Sequence, residues 1–250
     1  MQGRVIFMGA LFAAFVGGQA FAQTAGRIGD SPHDLASGSA ANADKNEICV
    51  YCHTPHGADN ANGPLWNKPT GTAATAYSLY DSTTIDGAVL TSVGNVSVAC
   101  LTCHDGTQAR DAVINAPGTG LGTSPLGLLG VMPAGAANLG TDLQNDHPIA
   151  IQYGGFVVGT QIDPDFENDA GALEDNGGTG AAARWWVDTG TANATRDKSD
   201  MILFTRDNGG NFEPFVECAT CHDPHSGGGS PHFMRIVNTN SDVCLACHVK

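Results

Sequence analysis

Basic residues are scarce in this chain. Its 250 residues include 11 Lys and Arg against 25 Asp and Glu, so the formal net charge is −14. Such acidity argues against a nucleic-acid partner, whose phosphates would be repelled, and favours cationic partners or metal ions. Acidic groups that only keep a surface soluble would give the same composition, so charge alone leaves both interpretations open.

Long apolar runs are also few, and 33 glycines are spread along the chain. Amphipathic periodicity is weak throughout, so we expect sparse regular secondary structure and no large protein core. The stretch Val5–Val16 near the N-terminus is shorter than the about 20 residues of a spanning helix. No other segment is longer and as apolar, so we expect no membrane span.

That N-terminal stretch has the features of a secretory signal. Arg4 supplies positive charge ahead of Val5–Val16, and Ala20-Phe21-Ala22 forms an A-x-A cleavage site. We therefore expect residues 1–22 to be removed and residues 23–250 to form the exported protein.

Cysteine is absent outside one repeated pentapeptide. All 8 cysteines lie in four Cys-x-x-Cys-His motifs at residues 49–53, 100–104, 218–222 and 244–248. Two cysteines three positions apart can form thioethers with the two vinyl groups of one haem, and the histidine that follows can bind the iron. The sequence therefore predicts four covalently bound c-type haems, attached at Cys49, Cys52, Cys100, Cys103, Cys218, Cys221, Cys244 and Cys247.

Cysteine pairs in an exported chain can also form disulfides or a structural zinc site. Neither needs a histidine directly after the second cysteine, and here a histidine follows in all four copies. We therefore favour haem attachment. It takes place outside the cytoplasm and so agrees with export.

The 9 histidines divide into two groups. Four belong to the motifs and are predicted to bind the irons on one face: His53, His104, His222 and His248. Five others remain, and four irons need four more ligands if every haem is six-coordinate. The supply covers this demand, although a histidine outside a motif is more often a surface or hydrogen-bonding residue.

Two of the five, His56 and His225, lie in a repeated Cys-x-x-Cys-His-x-Pro-His sequence. His56 cannot easily reach the iron bound by His53, because a three-residue tether stiffened by Pro55 is too short to pass around the macrocycle. If His56 is a ligand, it binds a different iron, and three residues span at most about 10 Å of backbone. The same argument applies to His222 and His225, so the spacing predicts two closely packed haem pairs.

His33 and His147 are the other two candidate distal ligands. Each is next to a proline that fixes the local backbone and to an aspartate that can orient the ring through a hydrogen bond. His232 is then the histidine left without an iron. Methionine at one iron would raise the potential of that haem and is less favoured as a ligand, with candidates Met132, Met201 and Met234.

The spacing of the motifs indicates the fold. Residues 105–217 carry no cysteine, and the haem-free insert, about 116–212, contains three segments predicted as strands: 149–158, 184–187 and 201–206. Asp207-Asn208-Gly209-Gly210 predicts a turn after the last one. The predicted fold class is a multihaem cytochrome c with a haem-stacked core. It consists mostly of irregular chain with a short helix at each motif and a few short β-strands, in a single tetrahaem domain over residues 23–250.

With these motifs, the chain resembles the exported multihaem c-type cytochromes of metal-reducing bacteria, and most of all their tetrahaem, filament-forming (OmcE-like) kind. The matching segments are SPHDL, CVYCHTPHG, CLTCHDG, NDHPI and VECATCHDPH followed by CLACH, which cover both ends and the middle only at His147. The resemblance implies bis-histidine haems stacked in alternating parallel and T-shaped pairs, in subunits polymerised into an extracellular electron-conducting filament. It also implies one distal histidine donated between subunits, for which His33 is our candidate. His232 is the departure from the pattern.

Four haems saturated by histidine predict an electron carrier or conduit rather than an enzyme. Such a protein exchanges electrons with other cytochromes or extracellular metal oxides, either as a filament at the cell surface or as a soluble shuttle in the periplasm. A multihaem reductase of nitrite or a related nitrogen oxide is the hypothesis from another class. It needs one five-coordinate haem, whereas all four motifs end in histidine. A structural or adhesion role is disfavoured, because it gives the haems no use.

Overall fold

The structure is a computed structural model that describes residues 26–29, 31–36, 47–70, 77–85, 87–116, 129–155, 163–167, 173–190, 195–226 and 231–249. The predicted signal peptide, residues 1–22, lies outside these ranges. No helix within them combines the length and the apolar character that crossing a membrane requires.

Each of the four motifs begins in a short helical segment. The first lies on a 3₁₀ turn, Ile48–Tyr51. The others lie on helices α2 (Asn95–His104), α3 (Cys218–Cys221) and α4 (Asp242–Leu245), while α1 (Gly26–Gly29) precedes them all. The prediction of a short helix at each motif is confirmed, and α2 is the longest of them.

Helix α2 is held by packing rather than by its own sequence preference. Its residues include several β-branched side chains, which are only moderate helix formers. Ser97, Val98, Ala99, Leu101 and Thr102 are nevertheless buried, so most of the helix surface is covered by neighbouring chain.

Five short strands form one antiparallel sheet in the order β1-β5-β4-β3-β2. The strands are β1 (Ile151–Gln152), β2 (Leu173–Asp175), β3 (Trp185–Val187), β4 (Met201–Asn208) and β5 (Asn211–Val216). Strands β4 and β5 form a hairpin whose last pair is Asn208 and Asn211. Gly209 and Gly210 between them have φ of 64° and 95°, the positive values that a tight hairpin turn requires.

Two of the three predicted strands, and the turn after the last, are found where the sequence indicated. The third prediction, 149–158, is wrong in extent, because β1 stops at Gln152. The chain then enters a 3₁₀ turn, Tyr153–Gly155, in which Gly154 and Gly155 have positive φ. Residues 156–158 lie outside the described ranges.

Strands β2 and β5 were not predicted, because their sequences lack the usual strand pattern. Strand β5 contains Glu213 and Pro214, and a proline cannot donate to a ladder. Pro214 is tolerated in β5 because β1 pairs only with Phe215 and Val216. No residue of β1 therefore needs an N–H from position 214.

The buried apolar residues form separate clusters, and each cluster includes residues of a motif. The sheet cluster contains Trp185, Val187 and Leu203, and partly buried Cys221 and Cys247 pack against it. A second cluster surrounds Leu101 of α2, and a third joins Ala36 to Tyr51 and Cys52. Within the described part of the chain these clusters are small and separate, as expected from the sequence, and attachment cysteines pack against the first and third of them.

Candidate functional site

Backbone carbonyl groups orient three of the four motif histidines. His53 Nδ1 lies 2.7 Å from the Pro64 oxygen, His104 Nδ1 2.7 Å from the Ala137 oxygen, and His222 Nδ1 2.8 Å from the His232 oxygen. A carbonyl can only accept, so Nδ1 carries the hydrogen in each ring. The Nε2 lone pair is therefore available to bind a metal, which is the arrangement found for histidine ligands of metals.

Three motifs share a common backbone pattern. A short antiparallel segment, which we call the bracing segment, crosses each of them: residues 64–67 at the first motif, 232–235 at the third and 164–167 at the fourth. The third residue of each segment forms a bridge with the motif histidine: Trp66 with His53, Met234 with His222 and Phe166 with His248.

Two hydrogen bonds of 2.8–2.9 Å close each of these contacts. The residue after the motif histidine donates its N–H to the carbonyl of the second residue of the bracing segment. The fourth residue of that segment donates its N–H to the carbonyl of the second cysteine in the motif. The first residue of a bracing segment can also orient the histidine ring. The Pro64 carbonyl accepts from the His53 ring, and the His232 carbonyl accepts from the His222 ring. The bracing segments therefore fix the backbone at all three motifs, and the first and third also fix the histidine ring.

Left-handed backbone accompanies two bracing segments. Leu65 has φ of 54°, and His232 and Phe233 have φ of 57° and 59°. Residues other than glycine rarely adopt this conformation, and it persists where surrounding contacts hold it. Here those contacts are the hydrogen bonds to the motif histidines, so local strain is located at the site itself.

Two pairs of imidazole rings face each other at a separation that fits one iron. The ring centroids of His33 and His104 lie 6.1 Å apart, and those of His53 and His225 lie 6.0 Å apart. Two imidazoles on opposite sides of one metal, with metal–nitrogen distances of about 2.0 Å and centroids about 1.1 Å farther out, have centroids about 6.2 Å apart. Both observed pairs match this value.

His33 is held in a half-buried position between two motifs. Its ring stacks on Phe233 with centroids 4.2 Å apart and an interplanar angle of 15°. Burial, together with the nearby His104 and His225, lowers the pKa of His33 to about 4, although a hydrogen bond to the Pro224 backbone acts in the opposite direction. His33 is therefore neutral at pH 7, as a histidine ligand must be.

His225 is positioned by the turn that follows the third motif. The Asp223 carboxylate accepts the His225 backbone N–H at 2.9 Å and the Ser226 hydroxyl at 2.8 Å. The His225 Nδ1 also lies 3.6 Å from the same carboxylate. The interaction with the His225 side chain is the main reason that the pKa of Asp223 lies well below its usual range.

The remaining three histidines are exposed. The His56 carbonyl accepts from Asn115 Nδ2 at 2.7 Å, and His147 Nδ1 lies 3.1 Å from the Pro148 oxygen. His232 supplies the carbonyl that orients His222. This role was missed from the sequence, and no signal there could have revealed it, because it belongs to the backbone rather than to the side chain.

The eight cysteines form no disulfide. Sulfurs of successive motifs are close enough to interact: Cys52 with Cys103, Cys100 with Cys218, and Cys221 with Cys247. Burial raises the pKa of the Cys52 and Cys247 thiols to about 12, with the neighbouring sulfurs adding to the effect. The motifs therefore follow one another in space in their sequence order. The partly buried positions of Cys52 and Cys247 favour an uncharged sulfur.

A buried carboxylate joins the second and third motifs. Glu217 accepts the Gly94 N–H at 3.0 Å, the Ser97 hydroxyl and Arg206 Nη1 at 2.9 Å. The Cys218 N–H in turn donates to the Ser97 hydroxyl at 3.0 Å. Burial nevertheless raises the pKa of Glu217. The network fixes α3 against the start of α2 and so sets the spacing of the two motifs.

Unpartnered donors lie near the first two motifs. Among the described residues, Trp66 Nε1 and Gln108 Nε2 are buried without a hydrogen-bond acceptor, as is Trp186 Nε1 on β3. Trp66 belongs to the first bracing segment, and its ring centroid lies 5.9 Å from that of His53. A haem carries propionate carboxylates that can accept from such donors. Together with the free Nε2 atoms and the paired rings, this shows that the residues fit c-type haem.

The comparison with protein families agrees with this geometry. The model of the doubled CXXCH motif matches residues 213–250, which contain the third and fourth motifs together with the bracing segment 232–235. No match was found among curated proteins. The doubled motif indicates covalently bound c-type haem at the third and fourth motifs, as in cytochromes of the c type.

Proposed function

We propose that the chain transfers electrons through four covalently bound c-type haems, each held by two histidines in a single domain over residues 23–250. The observation that carries the proposal is the 6.1 Å and 6.0 Å spacing of the two facing ring pairs. These distances support our proposal that His33 shares the iron of His104 and that His225 shares the iron of His53.

The third iron then takes His222 and His56. The first and third motifs share the His-x-Pro-His sequence and the same bracing pattern. If the first and third motifs face each other, the second histidine of each His-x-Pro-His sequence binds the iron of the other motif. His225 already faces His53 across 6.0 Å, so the reciprocal ligand of His222 is His56.

The fourth iron, bound by His248, has two candidate partners. His147 is the remaining histidine with the flanking proline and aspartate, and it is exposed. A histidine from a neighbouring copy is the other candidate. His33 faces His104 within one chain, so it is no longer our first choice for donation between subunits.

An electron carrier is favoured over an enzyme because saturated irons leave no position for a substrate. Two histidines per iron and an acidic surrounding both favour the ferric state, so we expect low reduction potentials. A nitrogen-oxide reductase would need one open iron, and the surplus of histidines argues against it.

We further propose that the protein is exported and forms the subunit of an extracellular filament that carries electrons to other cytochromes or metal oxides. The resemblance in the motifs supports this. The surroundings of the fourth motif support it too, since Leu245 and Val249 are 40% and 46% exposed. Acidic subunits repel each other, so a polymer needs a large interface or a shared ligand. A soluble periplasmic shuttle is the second candidate.

The test is to produce the protein with c-type haem maturation and to measure the haem-to-protein ratio and the spin state. Four low-spin haems per chain support the proposal, whereas an open, cyanide-binding iron favours the reductase. Electron microscopy of the secreted fraction then distinguishes an extracellular filament from a soluble periplasmic shuttle. Filaments support the conduit, and monomers in the periplasm support the shuttle.

A further inference from the structure

Lys68 is a lysine in an unusual place. The residue is 1% exposed, and Nζ donates to the carbonyl oxygens of Arg110 at 2.8 Å and Ala112 at 3.0 Å. Its charge also lowers the pKa of Cys103 against the effect of burial. An ammonium has three N–H groups, and two of them donate to these carbonyls, which can only accept, so the surroundings suit the charged form.

Among the described residues, no carboxylate pairs with this charge. None of the described ion pairs involves Lys68, and its described hydrogen-bond acceptors are two uncharged carbonyls. A buried cation without a counter-ion is costly, and removing water around it makes its field stronger over a given distance. The chain therefore keeps a full positive charge inside the protein.

This charge is held rigidly. The adjacent Asn67 is fully buried and donates to the carbonyls of Val50 at 2.7 Å and Asn115 at 2.9 Å. Its carbonyl also accepts from the Ile114 N–H at 2.8 Å. Lys68 is thereby fixed between the first motif and the loop after the second, and it lowers the pKa of both Cys103 and Cys52 against the effect of burial.

We propose that Lys68 raises the reduction potential of the haem attached at Cys100 and Cys103 by holding a buried positive charge beside it. This inference rests on the proposed function. Reduction adds one electron to the haem unit, and a nearby cation stabilises the more negative product. Because the loop directly after the second motif holds the Lys68 ammonium, the second haem should respond most, and the first haem, attached through Cys52, less.

The experiment is anaerobic spectroelectrochemical titration of the full haem-loaded protein and its variants. Lys68→Met removes the charge and keeps most of the side-chain length. Lys198→Met is the matched control, because Lys198 is exposed and loses the same charge. We expect Lys68→Met to shift one reduction equilibrium about tenfold towards the oxidised haem, or about 59 mV for one electron. The control should leave all potentials nearly unchanged.

The affected haem is identified with a separate variant, His33→Met, because methionine in place of an axial histidine raises the potential of that haem. The haem whose reduction potential rises in His33→Met should be the haem whose reduction potential falls in Lys68→Met. If Lys68→Met does not accumulate, Lys68→Gln removes the charge while keeping donors for the carbonyls.

Two outcomes are separable. Fewer than four haems in the unaltered protein would contradict the proposed function. Four low-spin haems with unchanged potentials in the Lys68 variants, or an equal shift in Lys198→Met, would overturn the role of Lys68 alone.

Discussion

At the scale of single residues, backbone carbonyls decide which nitrogen of a motif histidine is free. The carbonyls of Pro64, Ala137 and His232 each hold an Nδ1 hydrogen, which leaves Nε2 free to bind a metal. The identity of the motif histidines was evident from the sequence. Their carbonyl partners were not, because any residue can supply a carbonyl and the contact depends on the path of distant chain.

His225→Ala should open one iron. The side chain of His225 faces His53 across 6.0 Å, so its loss leaves the first haem with one axial ligand. We expect one of the four haems to become high-spin and to bind cyanide, as seen by electron paramagnetic resonance and by absorption.

His232→Ala is the matched control for this change. It removes an exposed imidazole nearby but keeps the carbonyl that accepts from His222. It should leave all haems low-spin. A fully low-spin His225→Ala protein would contradict the assignment of His225 to the first iron.

Gly94→Ala should destabilise the junction between the second and third motifs. A Cβ at this position would lie 2.7 Å from Cδ of Glu217, and that carboxylate cannot move away because several donors hold it. We expect a loss of about 1–3 kcal/mol in the free energy of unfolding, measured by chemical denaturation.

Gly190→Ala provides the comparison, since its Cβ would lie at an ordinary 3.7 Å from Asp188 Oδ1. This variant should be close to neutral. Equal stability of the two variants would show that Glu217 is not confined as described.

At the scale of elements, the bracing segments and the sheet carry the motifs. The helices at the motifs could be predicted from the motifs themselves, and strands β3 and β4 from local apolar pattern and turn residues. Strands β2 and β5 could not, because Asp175, Glu213 and Pro214 break the pattern and the pairing comes from tertiary contacts. The bracing segments could not be predicted either, because each has only four residues and its pairing also comes from tertiary contacts.

Arg206→Leu should weaken the attachment of β4 to the third motif. Arg206 pairs with Glu217 at 2.9 Å and donates to the Ser92 carbonyl at 2.8 Å, and the Glu217 side chain is fully buried. Removing the cation leaves a buried charge unpaired, so we expect a loss of about 3 kcal/mol or more.

Denaturation of the haem-loaded protein measures this effect. Arg184→Leu removes an exposed arginine whose described hydrogen bonds are to nearby backbone carbonyls, and it serves as the control. An Arg206→Leu protein as stable as this control would show that the pair contributes little.

At the scale of the whole molecule, the motifs form a continuous series. Sulfurs of the first and second, second and third, and third and fourth motifs are neighbours. The uneven spacing along the sequence did not indicate this order, because the 113 residues between the second and third motifs could lead anywhere. The sheet folds back so that β5 leads directly into α3, and this brings Cys218 to Cys100.

The series of motifs leads to a prediction about assembly. If the fourth haem is exposed at one end, it can meet a second copy or a redox partner. We expect the secreted protein to sediment as a polymer and to appear as filaments by electron microscopy. Removing the apolar exposure with Leu245→Ser should reduce polymerisation without changing haem content, whereas Val131→Ser, at a site 49% exposed near the second motif, should not. Monomers alone would favour the periplasmic shuttle.

The most direct measurement is the number and spin state of the haems in the purified, processed chain, obtained from the haem-to-protein ratio together with electron paramagnetic resonance. We predict four haems, all low-spin and with bis-histidine signals. Fewer than four, or a high-spin iron in the unaltered protein, would contradict the account in which histidines close both faces of every iron.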